Sequence, residues 1–456
     1  QGGALYVTSN SGFSVLESVF EANEAGPTTF SAYIGGGAVH SRCTPSPLLI
    51  ENCQISRNIA PYGGGVTNDG ALVIRTSVFD GNRAEFDGGA LLNGASPTSD
   101  TAAFTVVDST FVRNTAQNGG GIASFATPQR RPLIANSTFI FNQASTHGGG
   151  IYNFGGLLYL TNCTLAHNSA PTAAAFMGTG VSITLFSQCT VSTNAAGGGA
   201  GIGGLQYEGT LLNGWSLANS IIANNTPVAN PQVFNVWTSS NPGTFPTSIT
   251  SGDPLLAPLG DYGGPTLTMP PLPGSPALNA GDSSSVAPDT ADLDNDGDTT
   301  EPVPFDQRGF PRIAGSAVDI GAVEYDASRD LPLIFSADGD GDGVPFGVEH
   351  ALGMNGHTSD LTSPRRFRLG MDSISSQPKL TFGFNTAALP FTTWSVKRST
   401  TLTPEGWTEI YRYHGPTMTE TTTGTTVTPM GDLLEVTDTN PPADGAFYRF
   451  EAIPEP

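Results

Sequence analysis

The sequence predicts an all-β fold: a right-handed parallel β-helix followed by calcium-binding loops and a C-terminal β-sandwich. Three observations predict it. A seven-residue phrase recurs eight times in the first half of the chain. A glycine-rich phrase follows most of its copies. The composition also disfavours helix, since 57 of the 456 residues are Gly and 35 are Pro, the two residues least tolerated in helix interiors.

The phrase reads polar residue, Ser or Cys, any residue, apolar residue, any two residues, Asn. Its copies are Glu17 to Asn23, Asn52 to Asn58, Thr76 to Asn82, Asp108 to Asn114, Asn136 to Asn142, Asn162 to Asn168, Gln188 to Asn194 and Asn219 to Asn225. The closing Asn residues lie 35, 24, 32, 28, 26, 26 and 31 positions apart, a spacing that marks a solenoid of stacked coils. In Asn162-Cys163-Thr164-Leu165, strand alternation turns Cys163 and Leu165 to one face and Asn162 and Thr164 to the other. The Ser/Cys and apolar positions are therefore expected to fill the core. The closing Asn is expected to adopt the left-handed backbone of a tight corner and to hydrogen-bond its counterpart about 4.8 Å away in the next coil.

The second phrase, as in Gly35-Gly36-Gly37-Ala38-Val39 and Gly148-Gly149-Gly150-Ile151-Tyr152, marks the opposite corner, where a Cβ would clash or φ must be positive. Parallel pairing with the usual crossover hand makes residues 1–250 a right-handed helix.

The Phe-x-x-Asn ends Phe20 to Asn23, Phe79 to Asn82, Phe111 to Asn114 and Phe139 to Asn142, paired with Gly-Gly-Ala-apolar, resemble the repeats of chlamydial polymorphic outer-membrane proteins. A second resemblance covers residues 251–330, an acidic, loop-rich stretch. It runs from Asp253-Pro254-Leu255-Leu256 through Gly263-Gly264-Pro265-Thr266 and Pro273-Gly274-Ser275-Pro276-Ala277 to Asp306-Gln307-Arg308-Gly309-Phe310 and Asp319-Ile320-Gly321-Ala322. This stretch is similar to the closing region of bacterial choice-of-anchor β-helix proteins. The resemblance implies a secreted, cell-surface β-helix and no particular reaction.

Charge narrows the partners. A formal net charge of −22 argues against nucleic acid and anionic membrane, which both require a positive surface. No apolar run is long enough to span a bilayer. The acid is concentrated: residues 251–350 hold 15 Asp and 3 Glu, against 5 Asp and 6 Glu in residues 1–250.

Within that acidic stretch, Asp338-Gly339-Asp340-Gly341-Asp342-Gly343-Val344 followed by Glu349 fits a calcium loop. Asp338, Asp340 and Asp342 would give side-chain oxygens, Val344 its carbonyl and Glu349 two oxygens, with Gly343 at the sharp turn. Asp330 to Phe335 reads as extended, so residues 331–362 resemble the calcium loops of dockerin or thrombospondin type 3 repeats more than a full EF-hand. Asp292, Asp294, Asp296 and Asp298 repeat the oxygen spacing, with Glu301 within reach but Val303 in the twelfth place. Calcium in these loops would order Pro- and Gly-rich chain that buries little apolar surface.

From residue 363 the pattern changes to alternating strands such as Lys379 to Phe384, Thr393 to Arg398 and Ala446 to Glu451, which suggest a β-sandwich over 363–456. Trp394 and Trp407 are read as core rather than as a glycan platform. Four cysteines occur. Cys163 and Cys189 share a repeat position in adjacent coils, close enough for a disulfide or for two stacked thiols. Cys43 and Cys53 share one coil, and the same two states are open to them.

The coils carry no Lys and no acid recurring at one position, and His40, His147 and His167 are scattered. A lyase needs a base beside a cation groove, and a hydrolase needs facing carboxylates. The expectation is therefore a non-enzymatic extracellular or cell-surface fibre subunit or adhesin. Its open first coil, beginning at Gln1-Gly2-Gly3, would receive a neighbour's C-terminal region. A polysaccharide lyase or hydrolase, or a module binding surface glycans, is the alternative.

Overall fold

The computed structural model describes residues 3–26, 35–94, 102–125, 127, 130–180, 182–197, 203–209, 215–227, 235–238, 245, 247–338, 344–352, 366–371, 377–383, 392–401, 406–414, 419–430, 433–443 and 446–454. The chain forms two compact units, Gln1–Leu256 with Gly263–Tyr325, and Ala257–Tyr262 with Asp326–Pro456. No helix among the described residues is long and apolar enough to cross a membrane.

The first unit is a parallel β-solenoid. One coil runs through strands Val39–Ser41, Leu48–Glu51, Gln54–Ser56 and Ile59–Ala60, then turns at Gly63 to Gly65 into Val66–Asn68 of the next coil. Equivalent strands pair in parallel, for example Val39 with Val66 and Ile55 with Phe79. Stacking them yields four sheets of nine, eight, seven and eight strands among the described residues. Each phrase copy supplies one strand to one of the eight-stranded sheets, from Val19–Glu21 to Ile221–Ala223.

The core follows the alternation. Ile55, Phe79, Phe111, Phe139, Leu165, Val191 and Ile222 occupy the apolar position and are fully buried. The rings of Phe79, Phe111 and Phe139 stack face to face, with centroids 4.8 and 4.7 Å apart, because strand stacking sets the same spacing.

The corners differ from the sequence expectation. The closing Asn does not take the left-handed conformation. That backbone occurs at the first position of all eight copies, from Glu17 (φ 46°) to Asn219 (φ 46°), and again one residue before the closing Asn, at Ala22, Arg57, Gly81, Arg113, Phe141, His167, Thr193 and Asn224. The closing Asn must point inward, so the chain turns one residue earlier, where the side chain faces out.

Inside, the Asn side chains form a continuous ladder. Asn114 Oδ1 accepts from the backbone N–H of Asn82 (2.9 Å) and from Asn82 Nδ2 (3.0 Å). Asn114 Nδ2 donates to Asn142 Oδ1 (2.9 Å) and to the Phe79 carbonyl (2.9 Å). The same set recurs through Asn23, Asn58, Asn82, Asn142, Asn168, Asn194 and Asn225. It ends on Asn235, outside the repeat phrase, whose Nδ2 donates to the Thr250 carbonyl.

A Ser ladder runs beside it. The N–H groups of Cys53, Ser77 and Ser109 donate to Ser77, Ser109 and Ser137 Oγ, each at 3.1 Å. The four cysteines are free, buried thiols, which corrects the disulfide alternative for both pairs. Each phrase cysteine takes the Ser role instead. Cys163 Sγ donates to the Thr161 carbonyl two residues back, as Ser77 Oγ does to that of Arg75. Burial and the adjacent Cys189 push the Cys163 thiol well above its usual range, so it stays protonated and unreactive.

At the glycine corner two constraints act. Gly63 has φ 58°, and a Cβ on Gly64 would sit 2.3 Å from the Gly89 carbonyl oxygen of the next coil.

Segment 263–325 has almost no regular structure, yet it straps the outer face of the phrase sheet. Gln307 Nε2 donates to Thr138 Oγ1 (2.8 Å) and Thr266 Oγ1 (2.9 Å), while Gln307 Oε1 accepts from Thr164 Oγ1 (2.6 Å). The Ala322 N–H donates to Thr190 Oγ1 (3.0 Å), and Asn162 Nδ2 donates to the Phe305 carbonyl (2.8 Å). The same outward position is 64% exposed at Val19 and 40% at Val78, and fully buried at Thr138 and Thr164.

Among the described residues, the second unit holds two four-stranded antiparallel sheets. Leu380, Phe382, Leu434 and Val436 of one share a core with Trp394, Val396, Ile410 and Tyr411 of the other. Trp394 is fully buried, with Nε1 donating to Thr392 Oγ1 (2.7 Å). Helices α1 (Ala327–Ser336) and α2 (Phe346–Leu352) belong to this unit, and Leu352 enters its core.

Helix α1 corrects the extended reading of Asp330 to Phe335. The Asp326 carboxylate caps the N–H groups of Ser328 and Arg329, and Leu331, Ile334 and Phe335 bury one face. Pro332 then forfeits a single intrahelical bond, to the Ser328 carbonyl.

The ladder yields a graded prediction. Asn114→Ala strands buried groups on two neighbouring coils and should lower the unfolding free energy by about 3–5 kcal/mol in urea titrations. At the half-buried first rung, Asn23→Ala should cost about 1 kcal/mol. Equal losses at both rungs would show that the ladder does not carry this energy.

Candidate cation site and the buried ion network of the acidic segment

The sequence-predicted loop at 338–349 lies between α1 and α2, so it has the entering helix that the sequence reading denied it. Asp338 is exposed just past α1, Val344 is half-buried, and Glu349 is buried in the first turn of α2. Asp340 and Asp342 lie outside the described residues.

The other predicted group, Asp292 to Glu301, is described in full. Ala287 to Asp289 and Glu301 to Val303 run antiparallel. The Asp289 N–H donates to the Glu301 carbonyl (2.7 Å), the Val303 N–H donates to that of Ala287 (2.9 Å), and Pro288 bridges Pro302. Between them the loop is wound by positive φ at Asp292 (52°), Asn295 (58°) and Gly297 (87°). One oxygen of each Asp is spent on this turn. Asp292 Oδ1 accepts the Gly297 N–H (3.1 Å), Asp294 Oδ1 that of Asp296 (3.3 Å) and Asp296 Oδ1 that of Asp298 (2.7 Å).

Two overlapping carboxylate groups result. Asp292, Asp294 and Asp296 bring ligand atoms within 4.8 Å of one another, and so do Asp289, Asp294 and Glu301. Asp298 stands apart, exposed, its Oδ1 accepting from Thr300 N–H (2.9 Å) and Thr300 Oγ1 (2.7 Å), which hold its carboxyl below the usual range. Asp289 was missed by sequence reasoning. Only its pairing across the hairpin brings it to Glu301, and no local spacing signals that. Burial raises the Asp289 carboxyl, with the charges of Asp294 and Asp292 adding to it. Glu301 is raised by loss of water and then by Asp296 and Asp294. An all-oxygen donor set of this kind suits a hard divalent cation.

A second cluster is closed and self-neutralising. Arg308 and Asp306 are fully buried and paired at 2.9 Å, and Asp306 also accepts N–H bonds from Arg308, Phe310 and Glu324. Arg312 donates to the Gly321 carbonyl (2.6 Å) and faces Glu324 at 4.0 Å. Asp319 accepts from the Asn279 and Tyr325 N–H groups. Thus Asp306, near the predicted cation loop, is spent on folding the strap.

No protein-family model matches the chain, and no solved structure matches it. Over 169 residues, 36% of its length, the chain is 31% identical to a Dictyostelium discoideum protein named metabotropic glutamate receptor-like protein R. It spans only 9% of that protein.

The buried network predicts a pH dependence. Burial, opposed by Arg312, pushes the Glu324 carboxyl up to about 7. The folded chain therefore holds that proton up to pH about 7, whereas the unfolded chain releases it near 4.3. The resulting stabilisation, on the order of 3 kcal/mol, is full below pH about 4.3 and lost as pH rises through 7. Glu324→Gln should flatten the stability profile between pH 5 and 8 in thermal melts. An unchanged slope would refute this assignment.

Proposed function

We propose that this chain is a non-enzymatic, calcium-stabilised structural protein of the extracellular or cell surface, a fibre subunit or adhesin of the choice-of-anchor kind that assembles head to tail. The observation that carries the reading is the uninterrupted stack of neutral Asn and Ser ladders along the solenoid, and the first described coil offers an edge on which such a stack could be extended. Among the described residues, strands Leu5–Val7, Phe13–Leu16 and Val19–Glu21 each pair on one side only. Phe13, Leu16 and Val19 are 46, 51 and 64% exposed there. Asn23, the ladder's first rung, donates to Asn58, but its own Oδ1 has no donor among the described residues. Unpaired parallel edges with apolar side chains and an open ladder acceptor are what a further strand-bearing segment would complete.

The rest of the solenoid supports a scaffold role. The recurring inward positions are given to Asn, Ser and apolar ladders that stiffen the coils, and the acidic segment requires cations such as the millimolar calcium outside cells.

Electron microscopy and light scattering in millimolar calcium should show concentration-dependent filaments, dispersed by chelator. Leu16→Lys with Val19→Lys should leave a folded monomer, because charge on an edge strand blocks pairing. A wild-type chain that stays monomeric in millimolar calcium at high concentration would rule out assembly.

A further inference from the structure

We infer that the primary cation site of the acidic segment is the triad Asp289, Asp294 and Glu301, with Asp289 as its buried anchor, and that its ligand is a single hard divalent ion such as calcium. This deepens the calcium clause of the proposed function and rests on it.

The triad is built across a hairpin. Asp289 and Glu301 sit on facing strands joined by the 2.7 Å bond between them, and Asp294 comes from the loop that closes it. The carboxylate of Asp289 is the decisive observation. The residue is 1% exposed, and Oδ2 is used by the Leu293 N–H (2.8 Å), but Oδ1 is buried without a hydrogen-bond partner among the described residues. Glu301 Oε1 is in the same condition. Two buried, unpartnered carboxylate oxygens grouped with Asp294 have no cationic side chain among them, so a bound cation is the partner that satisfies them.

The donor set agrees. Calcium takes carboxylate oxygens, and these three side chains bring only carboxylate oxygens together. Asp292 and Asp296 flank Asp294 from the exposed side and complete the oxygen-rich rim. Asp298 is not part of the site, since it belongs to neither group of converging carboxylates and Thr300 holds its Oδ1.

The test uses the full chain and calcium chloride by isothermal titration calorimetry, with melting temperature read in calcium and in chelator. Wild type should bind. Asp289→Asn and Glu301→Gln should each weaken one binding event tenfold or more and shrink the calcium-induced rise in melting temperature. In chelator they should melt no lower than wild type, because each removes a repelling charge, and this separates loss of a ligand from loss of the fold. Asp298→Asn should bind within twofold of wild type. Binding by Asp289→Asn equal to wild type, or a tenfold loss in Asp298→Asn, would overturn the triad and leave the calcium reading standing. A wild-type chain with no calcium heat and no thermal shift would overturn both.

Discussion

The structure depends on one interaction, the buried bond from each phrase Asn to the Asn of the next coil. A parallel solenoid leaves the inner backbone at its corners without strand partners, and buried amides without partners are costly. The Asn carboxamide solves this because it carries acceptor and donors together. Its oxygen takes two N–H bonds from one neighbour, and its nitrogen reaches back to the apolar residue's carbonyl, as Asn142 Nδ2 does to Phe111. The bonds also offset backbone strain. Every phrase copy holds two residues at positive φ, among them Arg57, Phe141 and His167, for which that region costs about 1–2 kcal/mol each.

The ladder fixes the register on which everything outside it relies. Because each phrase strand starts and ends at the same corner, Thr138, Thr164 and Thr190 fall in one outward column, and the strap of 263–325 reads that column. Gln307 spans two coils through Thr138 and Thr164, which requires their spacing to be that of adjacent strands. The strap buries apolar side chains such as Met269, Val303, Val318 and Val323, but not these alone. It relies on buried charge, and Arg308 with Asp306 remains tolerable in the interior because backbone N–H groups saturate the carboxylate around the ion pair.

What was legible in the sequence follows from the range of the forces involved. Alternation is local, so the inward places of Cys163, Leu165 and the Phe series were readable, as was the coil-to-coil Asn bonding. The residue that turns the corner was not. Propensity points to the Asn, but its side chain is claimed by the interior, and the turn falls on Arg57 or His167, whose types signal nothing. Helix α1 was hidden because Pro332 reads as a breaker, whereas the Asp326 cap and the buried face of Leu331, Ile334 and Phe335 outweigh one lost bond. Asn235 and Asp289 were invisible for another reason. Each is defined by a partner brought near by tertiary folding, Asn225 in one case and Glu301 in the other.

The two acidic elements therefore differ in kind, although composition does not separate them. Around Asp306 each carboxylate oxygen meets an N–H group or a guanidinium, so that carboxylate is satisfied within the chain. Around Asp289 the backbone closes the hairpin and Oδ2 accepts the Leu293 N–H, while the buried Oδ1 has no hydrogen-bond partner among the described residues. No Lys or Arg lies between Asp289 and Glu301, so the positive charge that the proposed site would take comes from outside the loop, as a proton or a metal. The solenoid supplies its own cohesion through neutral ladders. The segment beyond it carries the carboxylates of the proposed cation site, and under that proposal it is the part of the first unit whose folding would answer to its surroundings.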